Sequence, residues 1–398
     1  MVPEIRKRSN AVYNNDTYNN FLQDLQTPFP GAIEFRVAET AVFVSAEFKN
    51  KILDACEHIV DVITHPQFKA LTQKAIPKHL QVPGETDYSD FIAFDFGVCV
   101  NEKGEYEPQL IEMQGFPTLF AYQVLLDDSY RKHFPVPENY SAFLGGEDRA
   151  SYIQHLKEII LGLHAPENVI LLELFPHEQK TKIDFYCTQE LLGIQPVCLT
   201  ELIQEGKQLF YLRNGEKTRI QRIYNRIIFD DLFQQPAEVQ EKGKLLFQDL
   251  EVEWCPHPAW FYRISKYTLP LINHPYVPAT YFLDSITQLP ADLENYVLKP
   301  LFSFAGQGVI IDVTEEDILA VKDPENWILQ KKVQYASVIE TPDDPAKAEI
   351  RIFYFWKKGE SRPTPANNLA RLSKGKMIGV RYNQDKTWVG GSLAYFEK

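Results

Sequence analysis

Three oxygen-bearing side chains and one lysine carry the first chemical signal in this sequence. The segment "FIAFDFGVCVNEKGEYEPQLIEMQ" (91–114) alternates apolar and polar positions and holds Asp95, Glu112 and Gln114. Strand side chains point alternately to opposite faces. Ile92, Phe94, Phe96, Val98 and Val100 therefore share one face and Asp95 lies on the other, while Glu112 and Gln114 share a face. With the turn centred on Lys103-Gly104, Glu102 pairs with Glu105, and counting outward sets Asp95 opposite Glu112. Like charges directly across a strand pair repel, and bridging divalent cations would remove that penalty. Pro108 requires an edge strand or a bulge. The competing reading is a surface hairpin with an acidic face.

The lysine is Lys299, in "YVLKPLFSFAGQGVII" (296–311). The stretch is neither a GxxxxGK[ST] phosphate loop nor a GxGxxG turn between strand and helix. It reads as a strand, a short loop with Gly306 and Gly308, and a second strand. Such a loop can still hold phosphates, because glycines admit close backbone approach and successive N–H groups form an anion nest. Lys299 would add a point charge. A solvated lysine beside a hairpin turn is the alternative.

These residues need elements to position them. Residues 1–165 read as helices and loops around the carboxylate hairpin at about 90–115. Phe48, Ile52, Ala55, Ile59 and Ile63 mark one face of a helix. Residues 166–257 read as an α/β unit: "ENVILLELF" as a buried strand, "KIDFYCTQELLGI" as a helix, "QPVCL" as a strand. A hairpin then turns at Asn214-Gly215, and a strand ends at Arg226. Residues 258–398 are strand-rich, with strands expected in "YVLKPL", "GVIIDV", "NWILQKKV", "AEIRIFYFW" and "KMIGVRYN". A helix there is capped by Thr314 and Asp317. The fold class is α+β grading into α/β.

Composition narrows the function. The 398 residues are 44% hydrophobic and carry a net charge of −13, which argues against a general nucleic-acid binder. Cys56, Cys99, Cys187, Cys198 and Cys255 are scattered without a CxxC pair, so neither a disulfide framework nor a zinc knuckle is expected. No apolar run approaches the roughly 20 residues of a membrane span. The basic N-terminus lacks the apolar stretch of a signal peptide, and a reducing cytoplasm is the expected location. His257 and His274 lie beside prolines as loop histidines do, and no zinc-protease, hydrolase or deaminase motif occurs.

The order of segments resembles the ATP-grasp superfamily. Lys266 in "YRISKY", Lys299 with the "GQGV" hairpin, and the hinge strand from Gln330 to Val333 succeed one another as its nucleotide-cleft motifs do. The resemblance implies that Lys266, Lys299, Gly306, Gln307 and Gly308 meet phosphates. It also implies that Gln330, Lys331, Lys332 and Val333 lie along the adenine edge. "IEMQGFPTL" is similar to the superfamily's metal-ligand segment, which makes Asp95, Glu112 and Gln114 the implied ligands of Mg2+, with Mn2+ as the other candidate. Gln114 stands where the superfamily generally has Asn. Metal ligands placed before the lysines resemble the circularly permuted, glutathionylspermidine-synthase-like branch. That resemblance covers residues 85–398, without the amidase domain some members carry.

In that branch ATP phosphorylates a carboxylate and an amine then displaces phosphate to give an amide. The work is mostly positioning and charge neutralisation. Arg351, Arg371, Arg381 and Arg226 are the candidates to steady the transferring group or the acceptor; a structural arginine or a surface ion pair is the alternative for each. The expected partners are a small-molecule carboxylate and an amine, with no nucleic acid and no membrane. No motif specifies which acid, which amine or what oligomeric state. A non-catalytic nucleotide-binding or scaffold protein is the second reading, and a small-molecule kinase the third.

Overall fold

The structure is a computed structural model and describes residues 2–302, 308–375, 378, 383 and 385–398. Among these residues the central sheet runs Gly390–Ser392, Thr364–Ser373, Lys347–Phe355, Phe91–Val100, Tyr106–Gln114, all antiparallel. The carboxylate hairpin is thus continuous with strands from the far end of the chain, and the sheet joins the first and third sequence segments. Tyr106–Gln114 forms its edge, which accommodates Pro108.

The two faces of this sheet have different partners. Phe94, Phe96, Ile350, Ile352 and Leu372 pack against Ile52, Ile59 and Val60 of helix Ala46–Ile63. Ser45 caps that helix by accepting from the Phe48 amide. Each fully buried Ile or Phe contributes on the order of 1.5–3 kcal/mol, so this helix anchors the sheet's back. The opposite face starts with Phe91, Ala93, Phe353 and Phe355 over Phe120, then becomes charged. Val42–Val44 pairs in parallel with Ala394–Glu397 and joins the two chain ends.

The α/β unit is a parallel sheet ordered Glu253–Cys255, Arg222–Asn225, Val169–Glu173, Gln195–Cys198. A neighbouring hairpin turns at Asn214 and Gly215, both at positive φ (52° and 84°), as a tight two-residue turn requires. A third sheet runs Thr280–Phe282, Trp327–Lys331, Tyr296–Pro300, Ile310–Ile311. The strand expected over "GVIIDV" is only Ile310–Ile311, because Asp312 adopts φ +62° and cannot continue it. Thr314 and Asp317 cap helix Glu315–Ala320 reciprocally. The strand expected over "KMIGVRYN" lies almost wholly outside the described residues. All five cysteines are free and buried, and among the described residues no helix is long and apolar enough to cross a membrane.

Candidate nucleotide and anion site

The charged part of the central sheet is a grid of cross-strand neighbours. In one row Glu112 faces Asp95, and Asp95 faces Arg351; in the next Gly97 faces Glu349, and Glu349 faces Arg371. The expected opposition of Asp95 and Glu112 is reached by a different path. The pairs from Val100↔Tyr106 to Phe96↔Leu110 run one residue off the expected register, so Glu102 does not lead the ladder. A bulge at Ile111 then restores the offset.

Arginines answer the carboxylates. Asp95, essentially buried, accepts from Arg351 Nε (2.5 Å) and Nη2 (2.6 Å) as a fork, and from Arg371 Nη2 at 2.6 Å. Arg371 Nη2 also reaches Glu349 at 2.5 Å, and the Tyr335 hydroxyl donates to Glu349 at 3.3 Å. Arg351 Nη2 lies 3.5 Å from Glu112, and its Nη1 donates to the Thr118 hydroxyl at 3.3 Å. Burial pushes the Asp95 carboxyl up, but the two guanidiniums outweigh it and hold it below the usual range. Glu349 is instead pushed up to about 7, by burial first, with Asp95 and Glu112 adding to it against the pull of the arginines.

Lys299, on the third sheet, and Lys266, at the start of the 3-10 turn Lys266–Leu271, supply the lysines. Lys299 donates to Gln330 Oε1 at 2.6 Å and Lys266 to the Pro300 carbonyl at 3.0 Å. Lys266 is lowered to about 8, by burial and by the charge of Lys299, while Glu112 opposes the shift. Lys299 is lowered by burial, against the fields of Glu112 and Glu349. Both lysines thus sense the carboxylate grid. Gly308 has the positive φ (74°) that favours glycine, whereas Gly306, Gln307 and Arg381 lie outside the described residues.

Along the expected hinge, the side-chain nitrogen of buried Gln330 has no partner among the described residues. The Lys331 and Lys332 amides are already committed to the carbonyls of Ala279 and Asn295, both at 2.8 Å. The Lys332 ammonium pairs with Asp312, Lys331 is exposed, and Val333 is half-buried beside them.

Arg226 sits just past its strand, nearly buried, with Nη1 on the Thr118 carbonyl at 3.0 Å and its guanidinium over Phe116 and Phe185. It lines a cavity of about 310 Å3 with Phe116, Glu173, Gln179, Thr181 and Asp231. That cavity opens beyond the carboxyl ends of parallel strands, where α/β sheets place ligands. Burial pushes Glu173 up to about 8 even with Arg226 pulling it down. A larger cavity, about 490 Å3, flanks Thr280–Phe282 away from the charge grid.

The expected metal ligands do not fit a divalent cation as they are arranged. Asp95 is engaged on both oxygens by three guanidinium contacts, and among the described residues no group of three or more His, Cys, Asp or Glu side chains is placed to hold a metal ion. Glu112 is the least buried acid of the grid, and Gln114 lies opposite Ala93, one row out. Sequence reasoning gave Tyr335 and Thr118 no role, and it noted that Glu349 shares a strand face with Arg351 without placing it in the site. Tyr335 comes from a loop and carries no motif, whereas Thr118 stands in the "IEMQGFPTL" segment and was given no role.

No protein-family model matches the chain, and no curated protein does. A solved structure does: a glutathione synthetase-like effector (GSS30) from Globodera pallida, in its apo form. It is 10% identical, with a TM-score of 0.58, over 97% of this chain and 98% of that one. The chain therefore has a glutathione-synthetase-like fold. The likeness takes in the first 80 residues, which the sequence resemblance left out, and their part in the fold is the helix behind the central sheet.

Proposed function

We propose that the chain is an ATP-grasp protein of the permuted, glutathionylspermidine-synthase-like kind, acting as an ATP-dependent carboxylate–amine ligase. One observation carries this: Lys299, on a strand of the third sheet, and Lys266, whose ammonium reaches the Pro300 carbonyl next to it, both lie in the field of Glu112, and Lys299 also in that of Glu349. In this reading the lysines screen the phosphates of ATP, and Gln330 with the hinge backbone meets the base. Arg351 and Arg371 steady the phosphoryl group as it passes from ATP to a carboxylate oxygen. The amine nitrogen then attacks the acyl carbon, the C–O bond to phosphate breaks, and ADP and phosphate are released with the amide. The Arg226 cavity is the place for the acid or the amine. Mg2+ and Mn2+, implied by the sequence resemblance, enter no step, because Asp95 and Glu349 are engaged by arginines.

Purified protein should release ADP only when an acid and an amine are both supplied, and Lys299→Ala should abolish that release. ADP without amide in the presence of an acceptor alcohol would instead indicate a kinase. The sequestration of Asp95 favours a second reading, a non-catalytic nucleotide-binding protein. It predicts ATP binding with no turnover across a broad panel of acids and amines.

A further inference from the structure

Building on the nucleotide reading above, we infer that this site takes the polyphosphate of its nucleotide directly on protein cations, with no requirement for a divalent metal ion. Metal-dependent nucleotide sites leave carboxylates open so that an ion can link them to phosphate oxygens. Here that link is already made by the chain itself. Three carboxylates, Asp95, Glu112 and Glu349, face four cations, Lys266, Lys299, Arg351 and Arg371. A divalent ion seeking Asp95 would have to displace a bidentate fork and a second guanidinium, then sit beside two arginines. A polyphosphate meets the opposite situation: guanidinium planes fixed in advance and two lysines in the field of the same carboxylates.

Asp95 and Glu349 act in this arrangement as positioning residues. Guanidiniums present donors in a rigid fork that suits carboxylate and phosphate alike. Asp95 holds Arg351 by two of its donors and Arg371 by one, Thr118 takes another from Arg351, and Glu349 shares Arg371. Among the described residues the buried Nε of Arg371 has no partner, and a third of its side-chain surface is exposed.

The test is ATP titration by calorimetry, in excess EDTA and in excess magnesium, on the full chain. The expected affinities agree within about threefold, under 1 kcal/mol. Arg351→Lys and Arg371→Lys keep the charge and lose the fork; each should weaken binding in EDTA by about tenfold or more. Asp95→Asn should weaken binding equally in both buffers. Should it not fold, the two arginine variants decide alone. Wild-type binding more than about tenfold tighter with magnesium would overturn the inference and leave the nucleotide reading in place. Loss of affinity in Asp95→Asn confined to the magnesium buffer would overturn it too. No ATP binding in either buffer would remove both.

Discussion

Arg226 and Arg351 meet at one residue: the Thr118 carbonyl accepts from Arg226 and the Thr118 hydroxyl from Arg351. The charge grid and the Arg226 cavity belong to different sheets, and Thr118 is where they are coupled. Thr118→Val keeps shape and backbone carbonyl and removes only the hydroxyl contact to Arg351. It should cost about 1 kcal/mol of stability and loosen Arg351, raising the KM for ATP more than that for the acceptor. Equal effects on both would show that Thr118 does not separate the two sites.

On the proposed nucleotide reading, affinity should fall as pH rises. Lys266, near 8 in the free protein, becomes more basic when a phosphate approaches. Its contribution is complete well below pH 8 and is lost above it, by up to about tenfold per pH unit. Glu349 acts in the same direction earlier, gaining negative charge through about pH 7. Calorimetry from pH 6 to 9.5 should give a monotonic decline, and Lys266→Arg should remove its upper part.

Gly97 is set by space. A Cβ there would lie 2.7 Å from the Tyr335 ring and 3.2 Å from Ile111. Gly97→Ala should push Tyr335 off Glu349 and cost about 1–3 kcal/mol through overpacking, measurable by denaturant melts. Pairing with Tyr335→Phe checks the route: if Gly97→Ala has already broken the Tyr335–Glu349 contact, the double variant should be no less stable than Gly97→Ala.

Arg222 is structural. Buried, it donates to the carbonyls of Ile159 (2.9 Å) and Ile160 (3.0 Å), to Asp90 at 3.3 Å and to Glu253 at 2.7 Å. Arg222→Ala leaves Asp90 buried without its cation and should destabilise the protein by about 3–5 kcal/mol, with nucleotide affinity unchanged in the folded fraction.

What was legible in the sequence follows the range of the interaction. Period-two alternation gave the faces of Asp95 and Glu112, because strand geometry is local, but the count from the turn that set them opposite was one residue off along most of the hairpin. The bulge at Ile111 was invisible, since it is defined only by pairing. Helix Ala46–Ile63 was readable from five apolar positions, but the sheet it covers was not, because that sheet recruits strands more than two hundred residues later. The arginines were named, yet their hold on Asp95 follows from the register of Lys347–Phe355 against Phe91–Val100. Only tertiary pairing fixes that register, and it turned an expected metal ligand into an anchor for guanidiniums.

The separation between partners also sets an order of assembly. Asp95 stands 276 positions from Arg371, and the amide of Ala46 is held by Glu397, 351 positions on. During synthesis the acidic ribbon emerges long before either arginine exists, so its carboxylates remain hydrated until the final strands arrive. Closing such long loops is slow. The α/β unit, whose strands lie within about ninety residues of one another, is free to fold first and wait. The charged cleft is then the last feature of the molecule to mature, and the C-terminal strands work as its latch.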